Sequence, residues 1–270
     1  MTVAHPQAVV FDAAISELIE ESSLPGVLVL RLHRPNKRNA LATPLLQAVA
    51  RAIDRASTNP EVRCVVMTGS DTVFAAGADI DELAASTATD PIVGPRFEAW
   101  RVIRGFRKPL LAAVEGWCLG AGSELMMCCD IVVAGQGAQF GQPETNLGII
   151  PGAGGTATLT RLVGRALAMR MVLTGEPIDA KRALAAGLIA EVAPKGHALE
   201  RALLLAAKVA TRSPLALREA KASVREADAL AESAHLLSER RRFLSLMASP
   251  DKAEGIAAFR EKRDPRWKTV

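Results

Sequence analysis

Short apolar runs alternate with helix-patterned segments over the first two-thirds of the chain. The apolar runs predict buried strands, because the strands of a parallel sheet read as nearly continuous stretches of Val, Ile, Leu and Ala. The predicted strands cover residues 27–32, 62–68, 73–76, 110–114, 131–134, 178–180 and 188–192. The predicted helices cover residues 43–56, 80–83, 96–106, 157–173 and 183–187, and another helix begins at the glycine turn 120–122. A strand, a helix and a strand in this order predict a parallel pair and an α/β fold.

The predicted helix over residues 43–56 has the clearest start signal. Thr43 offers a capping hydroxyl, and Pro44 suits the first helical position. Apolar residues recur on one face of this helix at Leu45, Leu46, Val49 and Ile53. Asp79 is a candidate cap for the helix that runs through Leu83.

Nearly all of the chain after residue 197 fits helices, with a break at Ser213–Pro214. These helices carry apolar stripes at Leu203, Leu204, Val209, Leu236, Leu237, Phe243, Leu244 and Met247. Such faces need a covering surface, and a neighbouring subunit would supply one. We therefore predict an α/β core with the active site over residues 1–195 and a helical oligomerisation region over residues 196–270.

The composition indicates an aliphatic globular protein with a weak net charge. Hydrophobic residues make up 49% of the chain and aromatic residues 4%, with no tyrosine. The net charge of +4, from 33 basic and 29 acidic residues, includes no basic block of the kind a nucleic-acid binder carries. The densest basic cluster, residues 240–242, is interpreted as a solvated or inter-subunit helix face. We expect no nucleic-acid partner, although the charge suits a phosphate-bearing ligand.

The cysteines and the N-terminal segment bear on the compartment. Cys64, Cys118, Cys128 and Cys129 lie among apolar residues without the spacing of a zinc site or a disulfide framework. They are interpreted as small buried side chains in a reducing compartment. Residues 1–24 lack the pattern of a signal peptide and give no clear secondary-structure assignment. Charge or glycine interrupts the apolar runs, so we expect no membrane span and a cytoplasmic protein.

The stretch from Ala113 to Cys129 carries an unusual carboxylate. A predicted strand enters a small-residue turn at Gly120–Gly122, and Glu124 follows in the first turn of an apolar helix. An isolated buried charge is costly, but a helix N-terminus offers free N–H groups and a positive dipole end. Such an end can stabilise a developing oxyanion. An ordinary helix start with Glu124 as a charge–dipole partner accounts for this stretch equally well when it is taken alone.

Two other catalytic motifs do not fit the sequence. Ser123 lacks the following glycine of a nucleophile elbow, and the histidines are scattered at His5, His33, His197 and His235. The glycine-rich residues 152–156 have neither the spacing of a dinucleotide-binding loop nor the ending of a phosphate-binding P-loop. No metal, flavin or nicotinamide site is visible in the sequence.

Several stretches together resemble a known family. They are LHRPNKRNAL (32–41), FAAGADIDEL (74–83), GWCLGAGSELMMCCDI (116–131), FGQPETNLGIIPGAGGT (140–156) and the ending EGIAAFREKRDPRW (254–267). In this order they resemble the crotonase superfamily, and specifically its enoyl-CoA hydratases. The resemblance implies an α/β crotonase-like spiral of ββα turns, of which a simple parallel sheet would be only a part. It also implies a C-terminal α-helical trimerisation region, with the trimers usually paired into hexamers.

The resemblance also implies roles for individual residues. The backbone N–H groups of Ala78 and Ala121 would form the oxyanion hole, and Glu124 and Glu144 would be the catalytic glutamates. The family usually has glycine at the second hole position, so Ala121 would disturb the geometry if the turn required a positive φ there. Singly, each motif keeps a structural alternative: a strand-to-helix turn capped by Asp79, and a loop carboxylate at Glu144.

The same resemblance implies the substrate and its binding residues. The substrate would be an acyl-CoA thioester, bound by Lys37, Arg38, Ala40, Ala76, Gly77, Asp79, Ile80 and Gly152. Further basic candidates, from the same or a neighbouring subunit, are Lys262, Arg263 and Lys268. No cofactor is expected apart from the coenzyme A of the substrate, and no metal.

The expected reaction is syn addition of water to a 2-trans-enoyl-CoA, giving a 3-hydroxyacyl-CoA. One glutamate would activate the water and the other would protonate the α-carbon. Another crotonase-type reaction, either double-bond isomerisation or dehydration of a branched or aromatic acyl-CoA, is the alternative within the family. A non-catalytic crotonase-like protein that binds acyl-CoA or RNA is the alternative outside it. Acyl-chain preference is expected to depend on residues 86–97 and on the tail.

Overall fold

The structure, a computed structural model, describes residues 17–87 and 94–268. Its strands are β1 Leu18–Leu24, β2 Val27–Leu32, β3 Cys64–Thr68, β4 Val73–Ala75, β5 Leu110–Val114, β6 Trp117–Leu119, β7 Ile131–Gly135, β8 Gln139–Gly141, β9 Ile178–Asp179 and β10 Glu191–Ala193. Its helices are α1 Thr43–Thr58, α2 Ile80–Ala85, α3 Pro95–Arg104, α4 Ala121–Met126, α5 Gly155–Val163, α6 Arg165–Thr174, α7 Ala180–Ala185, α8 Ala198–Ala210, α9 Pro214–Ala227, α10 Glu232–Met247 and α11 Pro250–Glu261.

The larger sheet has six strands in the order β1-β2-β3-β5-β7-β10. β1 pairs antiparallel with β2, and the remaining neighbours are parallel. The predicted parallel pairing of β2 and β3 is therefore confirmed. Every residue of β3 and of β5 is buried, which explains their unbroken apolar sequences.

A second sheet has four short strands in the order β4-β6-β8-β9. Each of β4, β6 and β8 follows one strand of the larger sheet, and a helix or a helical turn follows each in the chain. Successive units of two strands and a helix therefore stack in register, with parallel pairing between units in both sheets. This stacking places the N-termini of α2 and α4 side by side.

Helix α8 covers the outer face of the larger sheet. Ala198, Ala202 and Ala206 are fully buried on one helix face and pack with side chains of β2, β3, β5 and β7. Alanine at every fourth position lets the helix approach the sheet closely. The predicted boundary near residue 195 precedes this helix, and the division into two regions stays a prediction.

Local structure departs from the predictions at a few places. The predicted helix over residues 157–173 is two helices, because Gly164 adopts a φ of 77° between them. Thr43 does not cap α1 through its hydroxyl. Ala42 is the N-cap residue, and the Thr43 N–H and hydroxyl both donate to Glu82. The unassigned N-terminal segment contains β1. Residues 88–93, part of the region expected to affect acyl-chain preference, lie outside the described residues.

The C-terminal helices expose apolar side chains in the single chain. Large apolar side chains that are exposed on α9, α10 and α11 include Val224, Leu236, Leu237, Phe243, Leu244, Met247 and Phe259. The predicted helical character and the break at Ser213–Pro214 are confirmed. The trimer or dimer of trimers stays a prediction. Within the described ranges, no helix has the length and apolar character required to cross a membrane.

Candidate active site

A cavity of about 930 Å³ opens beside the N-termini of α2 and α4. Most of the residues predicted for the site lie on its wall: Lys37, Arg38, Ala40, Ala76, Ala78, Asp79, Ile80, Ala121, Glu124, Glu144 and Gly152. Gly77 is not part of the wall, and its carbonyl instead accepts the N–H of Leu41 at 2.8 Å. Segments far apart in the sequence thus meet at one cavity.

The turn before α4 resolves how alanine fits at the second predicted oxyanion-hole position. Gly120, with a φ of 50°, supplies the left-handed conformation, so Ala121 does not need one. A Cβ atom on Gly122 would lie 2.4 Å from the carbonyl oxygen of Ala75, so that position tolerates only glycine. Ala121 is the first residue of α4, and its N–H has no partner within the helix.

The N–H of Ala78 lies in a comparable position, immediately before the neighbouring helix α2. Ala78 forms an isolated bridge with Leu41 immediately before α2. Within residues 17–87 and 94–268, neither Ala78 N–H nor Ala121 N–H donates a hydrogen bond to another group of the protein. Two backbone donors of this kind can act on one substrate oxygen.

Glu124 is buried in the first turn of α4 and is held by the turn before α5. Its Oε1 atom accepts the N–H groups of Ala153 and Gly155, each at 2.7 Å. Burial raises the pKa of Glu124, and these two N–H groups and the charges of Arg104 and Arg96 oppose that rise. The N–H donors therefore support the ionised form of a carboxylate that burial would otherwise neutralise.

Glu144 also lines the cavity and lies in the 3₁₀ turn Glu144–Leu147 after β8. Burial raises its pKa to about 7, and the nearby charge of Glu124 adds to the rise. We assign the buried Gln142 amide with its nitrogen 3.0 and 3.1 Å from the two Glu144 oxygens, because the opposite orientation would face oxygen to oxygen. A Cβ atom on Gly120 would lie 3.0 Å from Glu144 Oε1, so the glycine turn also leaves room for this carboxylate.

The two glutamates thus have different environments within one cavity. Glu124 has two backbone donors and faces positive charge, whereas Glu144 has a pKa near neutral pH. Such a pair can supply one group that accepts a proton and one that gives a proton.

A polar network holds the predicted coenzyme A segment in place. Arg34 Nη1 donates to Asp79 at 2.9 Å and to the carbonyl of Ala40 at 2.6 Å. Asp79 caps α2 through the N–H groups of Asp81 and Glu82, as predicted. Arg34 and the capped N–H groups hold the pKa of Asp79 below its usual value. At the cavity mouth the ammonium of Lys37 pairs with Asp81 at 2.7 Å.

The basic residues predicted from the tail are not on the cavity wall of this chain. Arg263 pairs with Glu254 and Glu261, each at 2.6 Å, and Lys262 ends α11 in a left-handed conformation. The backbone N–H of Lys268 donates to Asp251. A contribution from a neighbouring subunit stays a prediction.

The sequence matches a known family and several of its members. Residues 23–269 match the model of a family described as enoyl-CoA hydratase/isomerase. The chain belongs to this family. It is 47% identical over 254 residues to a 2,3-dehydroadipyl-CoA hydratase of Escherichia coli K12, covering 94% of this chain and 99% of that protein. It is 41% identical over 260 residues to a mitochondrial enoyl-CoA hydratase of Pongo abelii, covering 96% of this chain and 88% of that protein.

Solved structures agree with the fold. An enoyl-CoA hydratase subunit I from Geobacillus kaustophilus HTA426 superimposes with a TM-score of 0.90 at 37% identity. The superposition covers 95% of this chain and 99% of that chain. The crotonase-like α/β class and the helical C-terminal region expected from the sequence are confirmed.

Three residues at the site of this enoyl-CoA hydratase/isomerase family member were missed by the sequence analysis. Gln142 contacts Glu144, Arg96 lines the cavity, and Arg104 lies against the turn that holds Glu124. The spacing of residues in the sequence could have indicated Arg96 and Arg104. Arg96, Trp100 and Arg104 are four residues apart on α3 and so share the helix face that carries buried Trp100.

Proposed function

We propose that the protein is an enoyl-CoA hydratase that adds water across the double bond of a 2-trans-enoyl-CoA in the syn sense. The thioester oxygen binds to the N–H groups of Ala78 and Ala121. These donors stabilise the negative charge that develops on this oxygen as water attacks carbon 3, and each contributes roughly 3 kcal/mol.

Proton transfer falls to the two glutamates. Glu124 accepts a proton from the attacking water, whose hydroxyl joins carbon 3. Glu144, in its protonated form, gives a proton to carbon 2, so that the elements of one water are added in total. Transfer of the proton from Glu124 to Glu144, directly or through solvent, completes the cycle. The reaction needs no cofactor apart from the coenzyme A of the substrate.

The observation that carries this proposal is the pair of glutamates with different hydrogen-bond partners in one cavity. Glu124 Oε1 has two backbone N–H donors at 2.7 Å, and burial raises the pKa of Glu144 to about 7. Water addition uses one group that accepts a proton and one that gives a proton, whereas a binding protein requires neither.

Relatives guide the choice of substrate. The Escherichia coli relative is named for 2,3-dehydroadipyl-CoA, a straight-chain six-carbon enoyl-CoA with a free carboxylate at the end of the chain. Four- and six-carbon straight-chain 2-enoyl-CoAs are therefore the first substrates to test. Coenzyme A would lie along the wall formed by Lys37, Arg38, Ala40, Ala76 and the start of α2, with Gly152 beside the attacking water. Gly77 supports this wall through its bond to Leu41.

The test follows the loss of enoyl-thioester absorbance with crotonyl-CoA. Glu124→Gln and Glu144→Gln should each lower kcat by about 10²–10⁴-fold, since each removes one proton-transfer group. Glu98→Gln, on the half-buried part of α3, is the matched control and should keep native kcat. Native protein that binds crotonyl-CoA but leaves its double bond unhydrated would refute hydration. A panel of 3-enoyl-CoAs would then test isomerisation.

A further inference from the structure

A cation on α3 faces the same cavity as the two glutamates. Arg96 lies in the first turn of α3, and Trp100, four residues later, lies on the same helix face. Both line the cavity. The cavity wall also includes the apolar side chains Phe97, Ile149 and Ile150. A guanidinium beside such a wall requires an explanation, because burying a charge costs free energy unless the charge gains a partner.

The hydrogen bonds of Arg96 leave most of its guanidinium unused within the described residues. Nη1 donates to the carbonyl of Leu41 at 2.8 Å. The nearest carboxylate oxygen, on Glu82, is 3.7 Å from Nη1, which is an ion pair without a hydrogen bond. A guanidinium has five N–H donors, and its planar fork suits a carboxylate.

Each acidic side chain near Arg96 has donors of its own. Both oxygens of Glu82 accept the N–H of Thr43 at 2.9 Å, and one also accepts the Thr43 hydroxyl. Asp79 pairs with Arg34, and Glu124 accepts two backbone N–H groups. None of these acids depends on Arg96 for its hydrogen bonds. The N–H donors of Arg96 that do not bind Leu41 are therefore available to an anionic ligand in the cavity.

We propose that Arg96 forms a subsite for a carboxylate at the far end of the acyl chain. The inference rests on the proposed hydratase function and assigns a residue to the recognition of ω-carboxy 2-enoyl-CoAs, the class to which the compound in the name of the Escherichia coli relative belongs. The apolar wall packs against the methylene groups between the double bond and the carboxylate. The guanidinium binds the carboxylate with paired N–H donors, as Arg does elsewhere in proteins.

The kinetic test compares two six-carbon substrates that differ only at the end of the chain. One is trans-2-hexenoyl-CoA, and the other is the 2-enoyl-CoA whose sixth carbon is a carboxylate. Native protein should prefer the carboxylate substrate in kcat/KM. Arg96→Gln should lower kcat/KM for that substrate by about 10–100-fold more than for hexenoyl-CoA, the loss expected for hydrogen bonds to a charged group. The loss that the two substrates share measures the effect of the Arg96 charge on Glu124.

Two control variants separate the subsite from a structural effect. Arg101→Gln removes a charge from the exposed side of the same helix and should leave kcat/KM unchanged for both substrates. Arg96→Lys keeps the charge but lacks the paired N–H donors of a guanidinium, so it should retain part of the preference for the carboxylate substrate. An equal loss on both substrates with Arg96→Gln would indicate a structural role and would overturn the proposal.

A binding measurement makes the subsite testable without the reaction. Adipyl-CoA and hexanoyl-CoA have no double bond, and calorimetry would compare their affinities for native protein and for Arg96→Gln. Tighter binding of adipyl-CoA by native protein, lost in the variant, supports the subsite even if no enoyl-CoA is hydrated. Equal binding of the two ligands by native protein refutes the subsite even if hydration is rapid.

Discussion

The Oε1 atom of Glu124 lies 2.7 Å from the backbone nitrogen of Gly155, the first residue of α5. A carboxylate on one helix is thus fixed at the N-terminus of another. The same oxygen accepts the N–H of Ala153, so its position is determined by two backbone groups rather than by flexible side chains. This arrangement fixes the candidate base while burial raises its pKa.

Gly155→Ala should lower activity by moving Glu124. The added Cβ atom would lie 2.8 Å from both Glu124 Oε1 and Pro151 Cβ, closer than non-bonded atoms allow. We expect a loss of about 10–100-fold in kcat for enoyl-CoA hydration, since a displacement near 1 Å has this scale of effect. Gly137→Ala, whose added Cβ would have no atom within 4 Å, should retain native kcat. Native kcat in Gly155→Ala would contradict the positioning of Glu124 by this turn.

Arg104→Gln should shift the acidic limb of the pH profile to higher pH. Arg104 lies against the turn at Gly154, and its charge lowers the pKa of Glu124. Removing this charge raises that pKa, so a higher pH is needed to ionise the base. The measurement is the pH dependence of kcat/KM, in which Arg101→Gln serves as the control from the exposed side of α3. An unchanged acidic limb, with lower activity at all pH values, would indicate that Arg104 acts through packing on Trp100.

Glu144→Gln should stabilise the protein at high pH although it removes activity. The folded pKa of Glu144 is about 7 and the ordinary value is 4.5, so the folded state binds this proton more tightly than the unfolded chain. The free energy of unfolding therefore falls as pH rises from about 4.5 to about 7. Glutamine removes this loss, which is about 1–2 kcal/mol after allowance for the partial exposure of the side chain.

Urea unfolding at pH 5 and pH 8 measures this effect. The free energy of unfolding of Glu144→Gln, relative to that of native protein, should be higher at pH 8 than at pH 5. The exposed Glu176→Gln should show no such difference between the two pH values. If the stability of Glu144→Gln relative to native protein is the same or lower at pH 8 than at pH 5, burial of the Glu144 charge does not destabilise the fold.

Asn39→Ala should destabilise the loop that leads to the coenzyme A wall. Asn39 is buried with a φ of 55°, a conformation that Asn tolerates better than Ala. Its side chain accepts the N–H of Arg34 and donates to the carbonyls of Val73 and Phe74. We expect a loss of about 3 kcal/mol in the free energy of unfolding, measured by urea denaturation. The exposed Asn36→Ala should lose less than about 0.5 kcal/mol, and an equal loss in both variants would refute this role of Asn39.

Much of the core could be predicted from the sequence because its signals are local. The residues of β3 and β5 are buried throughout, so a continuous apolar run sufficed to predict each strand. Helix α1 has its predicted apolar face buried. The cap of α2 by Asp79 was likewise predictable from the residue type at a helix start.

Features set by tertiary contacts escaped prediction. β6 and β8 have three residues each, too few to show a period, and they are strands because their neighbours pair with them. Thr43 has the residue type of a cap, but Glu82, distant in the sequence, takes both of its donors. Gly164 divides a continuous helical pattern because it adopts a positive φ.

The candidate site likewise has residues that the sequence could predict and residues that it could not. Motif resemblance placed Ala78, Ala121, Glu124 and Glu144, and the structure brings all four to one cavity. Their chemical roles stay predictions. The resemblance did not indicate Arg96, because the role of a residue on an amphipathic helix depends on what its side chain contacts in the folded protein.

The cavity residues come from different elements, which has a consequence for how substrates can change during evolution. Hydrogen bonds to Glu124 come from the turn before α5, whereas Arg96 and Trp100 belong to α3. Substitutions in the first two turns of α3 can alter which acyl end is accepted without removing any hydrogen bond of the proton-transfer groups. Descendants of one ancestral gene can therefore differ in the acyl-CoA that they accept while they keep the same proton-transfer groups.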